Sequence, residues 1–223
     1  MRRLAAIAIL LVSCKGTIND ESIPCVKGEW NSNASIQDDA SLLNYSGYTH
    51  IGGNVQITNS TFTDIDPLEC LVYVGRQLHV GSNPDLTDLT GLRNVTEIGG
   101  TLNIEANASL TNLSGLEGIT AIGTGSHEEP KYLQIYNNDS LENVDGLSSL
   151  TSITEGLYIY ENASLTNLDG LSNLQTIGGD MLLITYNPRL PQCEAEALAD
   201  RLVANGYAGP VLIGDNDTTA TCD

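Results

Sequence analysis

Basic residues are scarce: 9 Lys and Arg stand against 28 Asp and Glu, a formal net charge of −19. Phosphate backbones and anionic lipids are held by clustered Lys and Arg, so nucleic acid is excluded as a partner. Phe and Trp are nearly missing, with one of each beside nine Tyr. There is no Cys-x-x-Cys, and His50, His79 and His127 are scattered, so zinc has no ligand pattern and no metal or cofactor is expected. No apolar run approaches the ~20 residues that span a bilayer. Asn, Thr, Ser, Leu and Gly are abundant instead, a mix that suits many short strands joined by turns. A chain of 223 residues with this composition is expected to form one domain.

The chain opens on Met1-Arg2-Arg3 and continues through the apolar stretch Leu4 to Val12, the layout of an export signal rather than a permanent span. It then reads Leu11-Val12-Ser13-Cys14, which resembles the lipobox of bacterial lipoprotein precursors. That resemblance implies cleavage before Cys14 and diacylglycerol on its thiol. Residues 1–13 are then a lipoprotein signal peptide, 14–24 a lipidated tether and 25–223 the folded domain. An ordinary signal peptide with a chance cysteine is the alternative. Lys15 follows the cysteine, and in enterobacteria-like sorting a residue other than Asp there implies the outer membrane, facing the periplasm or the surface.

Cys25, Cys70, Cys193 and Cys222 remain. An even count in an exported chain argues for disulfides, and three pairings are possible. Two cysteines lie towards each end of the chain, which favours Cys25–Cys70 and Cys193–Cys222.

The dominant signal is a repeat of about 24 residues, the mark of a solenoid. One unit runs from Leu157 and Ile159 through Asn162, Leu165, Leu168, Gly170, Leu171, Leu174 and Ile177 to Gly178-Gly179. Further copies start at Leu78, Leu102 and Leu133, and partial ones at Val55, Leu182 and Val211, giving about seven coils. Leu-x-Ile has period two, so both apolar side chains share one face of a strand. One coil could not bury that face, whereas stacked coils share an apolar column. Asn83, Asn107, Asn138, Asn162, Asn187 and Asn216 form a second column, expected to point inward and satisfy turn backbone groups. The Gly52-Gly53, Gly99-Gly100 and Gly178-Gly179 pairs are expected at turns of positive φ. Spacing by three in the second half of each unit suits a 3₁₀-like turn or a second strand edge. The open ends need covers: the segment Ile36 to Leu43 could supply one, and a short helix from Glu194 to Val203, stopped at Asn205-Gly206, the other.

The repeat is spaced differently from an ordinary leucine-rich repeat: Ile153 precedes Leu157 by four, and Leu165 follows Asn162 by three. In this it resembles the receptor L domain, a right-handed β-helical module of insulin-type and epidermal-growth-factor-type receptors and of bacterial surface proteins. The resemblance runs from about Cys25 to Cys222, with Tyr48 to Ile57 similar to the family's entry strand and Leu190-Pro191-Gln192-Cys193 similar to bacterial members. Many members carry a cysteine where this chain has Tyr48. A mainly β, right-handed β-helix with a short C-terminal capping helix is implied, and with it extracellular recognition of an unstated ligand.

The remaining basic residues, Lys15, Lys27, Arg76, Arg93, Lys131, Arg189 and Arg201, are scattered. A β-helical polysaccharide-active enzyme would need clustered carboxylates and a base, so catalysis is a remote alternative. Tyr132, Gln134 and Tyr136, then Tyr158 and Tyr160, then Leu183, Thr185 and Tyr186 fall on or beside one exposed sheet. Tyr offers large, stiff, amphipathic contact area, which makes Tyr132, Tyr136, Tyr158 and Tyr160 the candidate ligand contacts for a protein or glycan. The competing reading is a cross-strand ladder that only stabilises the sheet, as in a structural envelope lipoprotein. Residues 123–131 form an insertion beside this face, with His127, Glu128 and Glu129 expected at its tip.

Overall fold

The computed structural model describes residues 24–222. Cys14 and the expected signal peptide and most of the tether lie outside them.

A typical repeat supplies one long strand, one 3₁₀ turn and one short strand; in the repeat that starts at Leu102 plain turns take the place of the 3₁₀ segment. The long strands Ala34–Ile36, Val55–Thr58, Leu78–Gly81, Leu102–Glu105, Leu133–Tyr136, Leu157–Tyr160, Leu182–Thr185 and Val211–Gly214 form one sheet in chain order. All neighbours are parallel and in register, so Leu102, Leu133, Leu157 and Leu182 stand side by side. The short strands, from Gly28–Trp30 to Thr176–Ile177, make a second sheet of seven strands. Between the sheets, 3₁₀ turns such as Thr90–Leu92, Asp145–Leu147 and Asp169–Leu171 bend the chain back. The spacing by three thus serves both a turn and a strand edge: Leu165, Leu168, Leu171, Leu174 and Ile177 all point inward and are buried.

The asparagines run through the interior as a continuous ladder. Asn83, Asn107, Asn138, Asn162 and Asn187 are fully buried. Asn162 Nδ2 donates to Asn187 Oδ1 at 3.2 Å and to the Ile135 carbonyl at 3.0 Å, while the Asn162 backbone N–H donates to Asn187 Oδ1 at 3.1 Å. The same contacts recur from Asn83 to Asn107, Asn138 and Asn162, and the ladder ends at Asn216. Ser60 takes the first rung, its hydroxyl donating to Asn83 Oδ1 at 2.7 Å.

Positive φ falls elsewhere than at the double glycines. Among the described residues other than glycine it occurs at Asn59, Ser82, Ala106, Asn137, Glu161, Tyr186 and Asp215, each one residue before a rung of the ladder. There the left-handed bend turns the chain sharply at the strand end. Six of these seven residues carry a polar or small side chain, but even so the conformation costs about 1 kcal/mol or more each. Gly53, Gly99 and Gly178 have ordinary φ and are required instead by close approach between coils: a Cβ on Gly53 would sit 2.5 Å from the Ser32 carbonyl carbon, one on Gly99 2.1 Å from the Gly75 carbonyl oxygen, and one on Gly178 1.9 Å from that of Thr154.

Both ends are covered. At the N-terminal end, Ala34–Ile36 joins the large sheet, and helix α1 (Asp39–Tyr45), started by an Asp38–Ser41 capping box, packs over it. Tyr48 packs edge-on against Trp30, with Lys27 over its ring. At the other end helix α2 (Gln192–Ala204) buries Ala195, Leu198, Ala199 and Leu202. Arg201 Nη2 donates to the Leu171 carbonyl at 2.6 Å, Asn205 Nδ2 donates to that of Gln175, and Glu194 accepts from Leu168 N–H. These side chains satisfy the open edge of the last 3₁₀ coil. Disulfides Cys25–Cys70 and Cys193–Cys222 close the two ends, with Cα separations of 5.3 and 6.0 Å.

Candidate functional site

The outer face of the large sheet is set by the residues between the buried pairs. Register aligns Gln56, His79, Asn103, Gln134, Tyr158, Leu183 and Leu212 in one row, and Thr58, Gly81, Glu105, Tyr136, Tyr160, Thr185 and Gly214 in another. The face is polar towards the N-terminal end and aromatic towards the C-terminal end.

All four candidate tyrosines lie on this face, in two pairs. Tyr136 and Tyr160 sit directly opposite in register and stack, with ring centroids 4.7 Å apart and planes 5° from parallel. Tyr132 and Tyr158 meet edge to face at 5.3 Å. Tyr158 Oη donates to Asp180 Oδ2 at 2.5 Å. Burial raises the Tyr158 phenol far above its ordinary value of 10, and the hydrogen bond to Asp180 and its charge add to that. Tyr132 is raised by burial and then by the Asp180 and Glu155 carboxylates, and Tyr160 by burial and then by Glu161 and Glu105. The phenols are therefore neutral donors and acceptors at any physiological pH. Leu183 is half-buried, Thr185 opposite Tyr160 is buried, and Tyr186 turns outward with 58% of its surface exposed.

The insertion at residues 123–131 folds back against the same face. Glu129 is not at an exposed tip: it forms an ion pair with Arg76, two coils earlier in the stack. The Thr101 hydroxyl donates to the Pro130 carbonyl at 2.7 Å and accepts from Tyr132 N–H at 3.1 Å. Lys131 N–H donates to Glu155 Oε2 at 3.0 Å. His127 and Glu128 remain exposed. Between loop and sheet lies a cleft of about 430 Å³ lined by Asn54, Gln77, Thr101, Glu129, Pro130, Tyr132 and Gln134. Sequence reasoning placed Gln134 and Tyr132 here but missed Asn54, Gln77 and Arg76. The usable signal was the outward position of each repeat, read across coils rather than along one.

Asn103 lies on this outer face but is only 6% exposed, and its Oδ1 finds no hydrogen-bond partner among the described residues. Also among the described residues, no group of three or more His, Cys, Asp or Glu is placed to hold a metal ion, and no helix is long and apolar enough to cross a membrane.

Two parallel sheets around a closed apolar interior, with paired tyrosines on the outer face of the larger one, define a protein of the solenoid class. The receptor L domain family model matches the chain twice, over residues 49–146 and 133–216. The chain belongs to the receptor L domain family, whose members are ligand-binding modules rather than enzymes. No curated relative matches it.

Proposed function

We propose that this chain is a lipid-anchored envelope receptor module, non-catalytic, which holds a protein or glycan ligand against the outer face of its large sheet. The supporting observation is the pairing of Tyr132 with Tyr158 and Tyr136 with Tyr160 on the outer face of the large sheet. Such rings bring large contact area with few rotatable bonds to immobilise. The anchor would be Cys14, at a bacterial outer membrane, with the tether holding the domain on its periplasmic or outer side. Intact mass of the protein purified from its own membranes tests this: a diacylated or triacylated chain starting at Cys14 supports it, and an unmodified Cys14 contradicts it. Binding is tested by capture from envelope extract. A stoichiometric partner held by the wild type and lost with Tyr136→Ala plus Tyr158→Ala is the expected result.

A structural envelope lipoprotein is the second reading, favoured by the Tyr136–Tyr160 stack, because ring faces turned to one another stabilise adjacent strands. On that reading the Tyr variants lose stability and retain every partner.

A further inference from the structure

We infer that the cleft between the 123–131 loop and the sheet binds a neutral saccharide unit, which names a ligand class for the recognition face and rests on the recognition reading above. The cleft volume of about 430 Å³ lies in the range of small-ligand sites and accommodates about one or two sugar rings.

Its chemistry is selective by what it offers. Gln77 and Gln134 present side-chain amides without hydrogen-bond partners among the described residues, and Asn54 commits only its Oδ1, to Gln77 N–H. A primary amide is both double donor and acceptor, so it matches the donor-and-acceptor hydroxyls of a sugar. Tyr132 supplies an aromatic wall. The one carboxylate, Glu129, is neutralised by Arg76, which leaves neither a free cation for an anionic ligand nor a free anion for a basic one. A β-strand cannot add here, because Val55–Thr58, Leu78–Gly81, Leu102–Glu105 and Leu133–Tyr136 are each paired on both sides. An aliphatic side chain would meet only Pro130 as an apolar partner besides the Tyr132 ring. The loop is fixed to the sheet by Arg76 and Thr101, so the wall is in place before any ligand arrives and little ordering cost remains.

The test is a titration of the full mature chain with maltose, cellobiose, lactose and chitobiose, each to about 10 mM, read by NMR at the Gln77 and Gln134 side-chain amides. At least one sugar is expected to shift both. Gln77→Ala plus Gln134→Ala should weaken its binding by about tenfold or more, while Gln56→Ala, on the same face outside the cleft, leaves it unchanged. The inference is overturned if none of the four sugars shifts either amide, or if binding survives the double variant. Neither glutamine belongs to the Tyr pairs, so the two readings separate. A captured envelope partner lost only with the Tyr variants, without sugar binding, removes the saccharide assignment and keeps the recognition face.

Discussion

The two faces of the large sheet are made by the same strands and obey different rules. On the inner face Val55 and Ile57, Leu78 and Val80, Leu102 and Ile104, Leu133 and Ile135, Leu157 and Ile159, and Leu182 and Ile184 repeat with little change, all fully buried. On the outer face the same rungs carry Gln and Thr, His and Gly, Asn and Glu, Gln and Tyr, Tyr and Tyr, then Leu and Thr. The inner face is periodic because every coil must bury the same column against its neighbours. Nothing in the stacking requires the outer sequence, so its change from polar to aromatic along the stack is where a particular ligand can be specified.

The contrast should be most severe at the ladder. Asn162→Ala removes hydrogen bonds inside a closed interior and leaves buried donors and acceptors unpaired, at about 1–3 kcal/mol for each group, so a loss of about 3–5 kcal/mol is expected in urea denaturation. Gln134→Ala, on the outer face of the adjacent coil, should cost under about 0.5 kcal/mol. Close behind comes the Cys25–Cys70 bridge, which closes a 45-residue separation. Replacing both with Ser should cost about 4 kcal/mol on the chain-entropy model, measured the same way. A smaller effect is expected for the stacked pair: a Tyr136→Ala, Tyr160→Ala double-mutant cycle should return a coupling of about 0.5–1.5 kcal/mol.

The smallest effect concerns pH. Folding raises the Tyr158 phenol above its ordinary value of 10, so the folded state keeps a proton that the unfolded state loses. The associated stability is complete below pH 10 and declines as pH rises past it. Tyr158→Phe should therefore flatten the alkaline loss of stability, which ultraviolet-monitored denaturation between about pH 9 and pH 11 measures. An unchanged slope would show that burial and the Asp180 contact together do not hold the phenol neutral.

The inner face was legible in the sequence and the outer face only in part, for a physical reason. Burial constrains residue type at fixed spacing, so Leu-x-Ile and the asparagine column can be read along a single chain. Contacts across the outer face depend on register between coils and on the route of an inserted loop, and neither repeats. The Tyr rows could be read because register follows from the repeat; the Arg76–Glu129 pair, which draws the loop onto the sheet, could not. The double glycines show the limit of local reasoning in the other direction. Gly53, Gly99 and Gly178 serve close approach to the preceding coil, whereas the left-handed bends fall on residues such as Ala106 and Glu161, whose types carry little local signal. The ladder holds these bends in place, since the rungs from Asn83 to Asn187 are each fixed by hydrogen bonds to the rungs on both sides.

The most direct test measures fold and recognition on one preparation of Tyr136→Ala plus Tyr158→Ala. If the outer face serves recognition, the urea midpoint falls by no more than corresponds to about 1–2 kcal/mol, and the envelope partner captured by the wild type is lost. Retention of that partner by a folded double variant would contradict it, as would a loss of binding that merely tracks unfolding.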